Sequence, residues 1–349
     1  MLDRKVCKMI NEARWADGQQ VRNRLEDITY NPMRSQEEFV MRMVRENART
    51  EYGRANNFKA IRSMDEFRER LPLTTYDDYA DYIGRIANKE KNILTTYLTE
   101  SMSVFDGTKK LPQSRWSVQS CYDYNFRAAF YIAGNHDLLT EGMTLNLIDS
   151  STEQLPSGMR VSNMLAHLLT KRETGNNEAY IIPFDIANAL HHTDIRYIEA
   201  LYALSQKDLS LAICERYDNM VEMLRYIEKH WPRLAEDIEN GNTLVQPNAE
   251  RANAIREIME EHHIGTQMVG QLWPSLHCIL VYDVDRLSAS FELLRTYCGS
   301  HVHFVFTGIS SPIGTFSATL NMDDPQTVLI PTACSMSSET RKHVTTTTC

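Results

Sequence analysis

A chain of 349 residues, 42% hydrophobic and 24% charged, has the composition of an ordinary globular protein of one or two domains, with enough apolar residues for a sizeable core. Its formal net charge of -9 is spread along the chain without a basic block, which speaks against nucleic acid and anionic membrane as main partners. No run reaches the roughly 18 apolar residues of a membrane span, and the start MLDRKVCKMINEARW is charged and helix-like rather than a signal or transit peptide, so a cytoplasmic location is expected.

The N-terminal hundred residues read as helical. In Ser35-Gln36-Glu37-Glu38 the serine followed by glutamate three residues on is a capping box, and Phe39, Val40, Met43, Val44 and Asn47 then share one helical face. A second box at Ser63-Met64-Asp65-Glu66 opens a helix that must stop near Leu71-Pro72, because proline disfavours helix in the residue before it. Thr75-Tyr76-Asp77-Asp78-Tyr79 opens a third, running toward Ile86.

The stretch from Thr99 to Ser114 is then expected to be a loop between two long helical patterns. Its hydroxyls, Gly107-Thr108, the Lys109-Lys110 pair and Pro112 are how a loop for a nucleotide's phosphates is composed: glycine lets backbone N–H groups approach the oxygens, hydroxyls donate and lysine supplies countercharge. With a single glycine, local sequence alone favours an ordinary polar turn over a phosphate loop.

Ser117 to Ile132 reads as a long buried helix, Gly142 to Asp149 and Leu209 to Cys214 as strands. Between them Pro156, Gly158 and Gly175 break the chain before a helix through Ile195, Ile198, Leu201, Tyr202 and Leu204. Tyr217, Met220, Val221, Leu224, Ile227 and Trp231 repeat at helical spacing until Pro232, which should end or kink the element, and Asn248 to His262 is another helix. From Trp273 onward, Leu276 to Tyr282 and His301 to Phe306 read as short strands around the Phe291 to Tyr297 helix. The last run ends in the turn Thr307 to Gly314, at the carboxyl end of a strand, where ligands bind in open α/β sheets. A strand from Thr327 to Pro331 precedes a Ser/Thr-rich tail, Ser335 to Cys349, expected to be disordered.

Other constellations read more simply as structural. His191-His192 lacks further metal ligands at helical spacing, His301 and His303 share a strand face without a third ligand, and His262-His263 complements a helix dipole. Asp283 and Asp285 could offer magnesium a carboxylate or begin an ordinary turn. The seven cysteines are scattered, with no C-x-x-C pair, and should be reduced and mostly buried.

Several stretches together resemble the auxin-responsive acyl-acid amido synthetase family, a branch of the adenylate-forming superfamily. Thr50-Glu51-Tyr52-Gly53 with Phe58 to Ile61 is similar to its "TEYG…F..I" element, and Leu71 to Tyr79 to "VP..TY.DY". Ile227 to Leu234 with Asp237 to Gly241 resembles "IE..W..L..DI..G", and Arg251 to Arg256 with Leu272 to Leu276 resembles "RA..IR…WP.L". The resemblance covers residues 35 to 333. It implies an α/β fold of mixed β-sheets with flanking helices, like the large N-terminal domain of adenylate-forming enzymes, over residues 1–334, with the family's small C-terminal domain absent from the sequence.

The activity implied is formation of an acyl-adenylate from a small carboxylic acid and ATP with Mg, followed by transfer to an amine or amino acid. The family's phosphate loop, S-S-G-T-[ST]-G-x-x-K-x-x-P, falls on Ser103 to Pro112, so that Ser103, Gly107, Thr108 and Lys110 would hold ATP; its Y-G-x-S-E element falls on Thr307 to Ser311, adding Gly308, Ser310 and Ser311. No metal ligand is assigned. Asp106 stands where the loop has serine, about three loop residues are missing, Ser311 replaces glutamate and Thr307 tyrosine. A carboxylate 4 Å from a phosphate charge costs about 4 kcal/mol at an effective dielectric near 20. Two readings follow: an ATP-dependent amido synthetase using Thr108, Lys110 and Ser310 on ATP, and a non-catalytic truncated relative that keeps the fold as a binding scaffold. The ligand cleft is expected between the Asp106-Gly107-Thr108 loop and the Gly308 to Ser311 turn.

Overall fold

The N-terminal helix, Arg4–Tyr30, buries Cys7, Ile10, Asn11, Arg14, Gly18, Val21 and Leu25, a stripe at three- and four-residue spacing that faces the body of the protein. Gly18 lets it lie close: a Cβ there would come within 2.3 Å of the Arg127 carbonyl oxygen. This is a computed structural model, and it describes residues 4–105, 107–149, 152–189, 195–261, 267–282, 289–312, 314–324 and 326–332. The expectations for Asp106, His191, His192, His262, His263, Asp283, Asp285 and the tail from Ser335 fall outside those residues.

The next helix, Pro32–Asn47, begins one turn earlier than its sequence suggests, because Asn31 accepts a hydrogen bond from the Arg34 amide and Pro32 occupies the first turn. Proline there sacrifices no bond, so Asn31-Pro32 outcompetes Ser35, which lies inside the helix. The other two starts stand as read: Ser63 Oγ accepts from the Glu66 amide at 3.2 Å, and Asp78 accepts from the Thr75 amide at 2.7 Å. The Met64–Arg70 helix stops at Leu71, before Pro72.

The central stretch corrects its expectation. It is a β-hairpin, β1 (Thr99–Phe105) and β2 (Lys109–Ser114), paired antiparallel with Val104 opposite Lys110 and Ser103 opposite Leu111. Gly107, at φ +71°, supplies the positive dihedral its tight turn requires. Two further strands follow β3 (Met143–Leu147): β4 (Thr152–Gln154) and β5 (Arg160–Ser162), which join the hairpin in a mixed sheet of order β2-β1-β5-β4.

Strands β6 (Leu209–Cys214), β7 (Cys278–Val281) and β8 (His303–Phe306) continue from β3 into a second, wholly parallel sheet of order β3-β6-β7-β8. Helices connect each pair of strands and cover both faces, so the strands are near-continuous apolar runs. Period-two alternation divides them between two cores. Ala212, Cys214, Ile279, Val281 and Phe304 face one cluster with the Tyr217–Asn240 helix, while Leu211, Ile213, Leu280 and Val305 face another with Phe126, Phe130 and Leu168. The Tyr217–Asn240 helix passes through Pro232 rather than ending there. Pro232 is exposed, so water can bond the carbonyl its missing N–H leaves free.

The helix read from Ser117 to Ile132 comprises Arg115–Tyr122 and Ala128–Asn135 joined by a π-helical turn, Asp123–Arg127, which carries the buried Asn125. Two short ribbons complete the fold: β9 (Ser310–Ser311) with β10 (Gly314–Thr315), and β11 (Ser317–Thr319) with β12 (Thr327–Leu329). His301 precedes β8 instead of sharing its face with His303; its ring packs on His277, while His303 Nδ1 lies 2.7 Å from Asp323. Cys7, Cys121, Cys214, Cys278 and Cys298 are buried free thiols.

Candidate functional site

The parallel strands all end at one edge, and a cavity of about 540 Å³ opens there. Asp149 enters it just after β3, Glu215 and Arg216 after β6, Tyr282 after β7, and Ser310, Ser311 and Pro312 after β8. The hairpin reaches it through Val104. Two helices start at the same edge, Met164–Glu173 after β5 and Tyr217–Asn240 after β6. Their first-turn N–H groups and dipoles favour an anion.

Asn163 ties these parts together. Its Oδ1 accepts from the Leu165 amide at 2.8 Å, capping the helix, and its Nδ2 donates to both oxygens of Glu215 at 2.9 and 2.8 Å. Burial pushes the Glu215 carboxyl above its ordinary value, and the bond from Asn163 opposes that rise. Opposite, Ser310 Oγ donates to Asn125 Oδ1 at 2.8 Å, and Asn125 Nδ2 donates to Thr315 Oγ1 at 2.8 Å and to the Cys121 carbonyl at 2.9 Å. The π-helical turn thus holds the β9–β10 ribbon. Gln113 Nε2 donates to the Pro312 carbonyl at 2.6 Å and fastens the hairpin to the same ribbon.

Several buried polar atoms near this edge have no hydrogen-bond partner among the described residues: Ser103 Oγ, Ser162 Oγ, Tyr282 OH and Thr307 Oγ1. Ser103 and Ser162 are neighbours across β1 and β5. Because an unpaired buried hydroxyl costs about 1–3 kcal/mol, such a group marks where a polar ligand or water belongs. Burial raises the Tyr282 phenol far above its ordinary value, so it stays protonated and can only donate or accept a hydrogen bond.

Of the residues expected to hold ATP, Ser310 and Ser311 line the cavity. Ser103 is buried beside Val104, and Lys110 is the cross-strand partner of Val104 without lining the cavity. Gly107 and Thr108 are exposed at the hairpin tip, so the cavity meets the hairpin at Val104 and not at its turn. Gly308 lies under the β11 backbone, where a Cβ would fall 1.6 Å from the Ser317 carbonyl oxygen; the structure requires glycine there for packing. Asp149, Asn163, Glu215, Arg216 and Tyr282 escaped sequence reasoning. Their signal was available, since each closely follows a strand or opens a helix, as the Thr307 turn does.

Magnesium commonly takes one or two protein carboxylates together with phosphate oxygens. Asp149 and Glu215 offer such a pair, and among the described residues no three His, Cys, Asp or Glu side chains could share an ion.

A parallel sheet with a polar cavity at its carboxyl edge, beside a mixed sheet carrying a Gly-Thr hairpin, defines an α/β domain of the adenylate-forming kind. Residues 21–303 match the profile described as "GH3 family N-terminal domain", and the chain belongs to that family. It is similar to the indole-3-acetic acid-amido synthetase GH3.15 of Arabidopsis thaliana, 23% identical over 303 residues that make up 79% of this chain and 51% of that protein. The 4-substituted benzoates-glutamate ligase GH3.12 of the same plant is 22% identical over 85% of this chain and 56% of its own length. The solved structure of the GH3.15 acyl acid amido synthetase in complex with 2,4-DB superimposes with a TM-score of 0.79 at 22% identity, covering 90% of this chain and 60% of that one. The chain spans about half the length of the curated relatives it matches.

Proposed function

We propose that this domain binds ATP and a small carboxylic acid and activates the acid as an acyl-adenylate, the first half of an acyl-acid amido synthetase reaction. The carboxylate oxygen attacks the α-phosphorus and pyrophosphate leaves; an amine then displaces AMP from the acyl carbon to give the amide. The observation that carries this reading is the carboxyl-edge cavity, where two helix N-termini meet Ser310, Ser311 and the partnerless hydroxyl of Tyr282.

In this reading the helix N-termini and Arg216 receive phosphate charge, and the Ser310 hydroxyl turns its proton from Asn125 to a phosphate oxygen. Tyr282 finds in the ligand the partner it lacks in the protein. Lys110, opposite Val104, supplies countercharge from the hairpin. Magnesium held by Asp149 and Glu215 would offset charge between these carboxylates and the phosphates. Preorganised donors of this kind contribute by needing no reorientation as charge develops. The cytoplasm, where ATP is available, is the location that goes with it.

A second reading, a domain that binds ligands without turnover, is favoured by the exposed Gly107-Thr108 tip and by Ser311 at the position of the family's glutamate. Acid-dependent release of pyrophosphate from Mg-ATP, assayed over aryl, indole and fatty acids, separates the two. The adenylation reading expects release that disappears in Lys110→Ala and Ser310→Ala. No release with any acid, together with a dissociation constant for Mg-ATP weaker than about 1 mM, or about 4 kcal/mol of binding, sinks it.

A further inference from the structure

Another cavity, of about 540 Å³, opens at the start of β1, the end of the hairpin away from its turn, and shares no lining residue with the cavity at the sheet edge. Three segments enclose it: the loop after the Ala80–Ala87 helix, the first residues of β1 and the chain entering β5. Ile86, Ile93 and Met159 are buried and give it an apolar floor. Its volume is that of a small-molecule site, about 300–1,000 Å³.

This cavity gathers cations in a chain whose net charge is -9. Lys89, Lys91 and Arg160 line it, and none of the three forms an ion pair or a side-chain hydrogen bond among the described residues. The Lys89 side chain lies across Gly158, where a Cβ would come within 3.0 Å of Nζ. Of the two acids in the wall, Glu90 is held by Arg85 Nη2 at 2.9 Å. The other, Glu100, is the extra residue of a β-bulge, since β1 shifts register against β2 between Thr99 and Ser101, and a bulge re-aims the side chain it carries. Glu100 Oε2 is buried without a hydrogen-bond partner, and His167 Nε2 lies 3.8 Å from it, too far for a hydrogen bond. Burial lowers the His167 imidazole below its ordinary value, so near pH 7 it is neutral and offers Glu100 no countercharge.

We propose that this cavity binds the phosphate monoester of a small polyhydroxy compound, its phosphate on Lys89, Lys91 and Arg160 and a hydroxyl on Glu100. A phosphate ester brings close to two negative charges at neutral pH to three cations that lack partners, where a carboxylate would bring one. An anion without hydroxyls would meet the Glu100 carboxylate and be repelled; a hydroxyl instead supplies the donor that this carboxylate lacks. The C–H faces of such a compound lie on Ile86, Ile93 and Met159, which inorganic phosphate would leave uncovered. The dipole of the Ala80–Ala87 helix accounts for Lys89 near its C-terminus but not for Arg160, which comes from β5. The inference does not rest on the adenylation reading, because the two cavities have no lining residue in common.

Calorimetric titration with glycerol 3-phosphate, ribose 5-phosphate and glucose 6-phosphate, each set against inorganic phosphate and the unphosphorylated polyol, tests it. At least one ester should bind with a dissociation constant below about 1 mM, and at least about tenfold more tightly than either inorganic phosphate or its polyol. Replacing Lys89 and Lys91 together by glutamine should weaken that ester at least about tenfold, and so should Arg160→Gln. All three residues are exposed, so neither variant endangers folding. Glu100→Ala should narrow the preference over inorganic phosphate. No binding of any ester up to about 10 mM, inorganic phosphate binding as tightly as the best ester, or unchanged affinity in both basic-residue variants would each overturn the assignment. So would displacement of the ester by saturating Mg-ATP with both variants behaving as wild type, since the ester would then occupy the sheet-edge cavity.

Discussion

Replacing Glu173 by alanine should cost this protein a large share of its stability. Glu173 and Arg14 form an ion pair with side chains only 1% and 2% exposed, Arg14 Nη2 lying 2.7 Å from Glu173 Oε2. The guanidinium also donates to Asn11 at 2.9 Å and Thr144 at 3.1 Å and lies between the rings of Phe130 and Tyr180. The carboxylate accepts from Tyr122 OH, Tyr180 OH and Asn176 Nδ2. Four segments of the chain are thus joined through one carboxylate. Removing it leaves a buried guanidinium uncompensated, which costs about 3–5 kcal/mol, against a total stability of about 5–15 kcal/mol for a typical domain. Arg14→Met combined with Glu173→Gln removes both charges while the amide keeps partners for Tyr122, Tyr180 and Asn176, so the double variant should be about 2 kcal/mol more stable than Glu173→Ala. Urea denaturation with a common slope measures all three proteins. A cost below about 1 kcal/mol for Glu173→Ala, or a double variant no better than the single, would refute the reasoning. The pair also sets an acid limit. Burial pushes the Glu173 carboxyl up, but Arg14 and the bonds from Tyr122, Arg14 and Asn176 more than offset this and hold it below its ordinary 4.5. Its contribution is therefore present above pH 4.5 and lost as pH falls through the depressed folded value, a loss the double variant should not show.

Glu199 should act with the opposite sign: burial, opposed by Arg196, lifts its carboxyl from 4.5 to about 7, so the folded state holds the proton more tightly and stability declines as pH rises between those values. Glu199→Gln should flatten that decline and raise stability at pH 8 by about 2 kcal/mol, and an unchanged pH profile would show that Glu199 ionises as in the unfolded chain. Gly308→Ala drives a methyl group into the Ser317 carbonyl and should cost at least about 2 kcal/mol by denaturation; a neutral result would mean that β11 yields freely. Ser311→Glu should tighten ATP about tenfold in the presence of magnesium and not with EDTA, by calorimetry; equal effects in both buffers would show that the new carboxylate does not meet the metal. Asn163→Ala removes a helix cap and the bonds to Glu215, and should cost about 1–2 kcal/mol of stability while weakening ATP binding; unchanged ATP affinity would separate the cap from the site.

Local patterns were enough for the helix starts at Ser63 and Thr75, for β6 over Leu209–Cys214 and for the turn after β8, because each depends on neighbours within a few residues. The motifs around Thr50, Leu71, Ile227 and Arg251 likewise carried the family, whose profile matches residues 21–303. The Thr99 to Ser114 stretch read as a loop because its composition suits a phosphate turn, yet Asp106-Gly107 between Val104 and Lys110 is also a hairpin signal, and pairing with β5 decides the matter. Only the tertiary structure brought Asp149, Asn163, Glu215 and Tyr282 to one cavity, since Asp149, Glu215 and Tyr282 meet through the parallel order of β3, β6 and β7 and Asn163 joins them from the end of β5 in the other sheet, not from spacing along the chain. The same holds for Phe39, Tyr79 and Trp116, distant in sequence, which line one apolar cavity. Residues a turn apart are set by backbone geometry that the sequence encodes directly, whereas residues on different strands meet only when burial of both sheet faces selects one strand order.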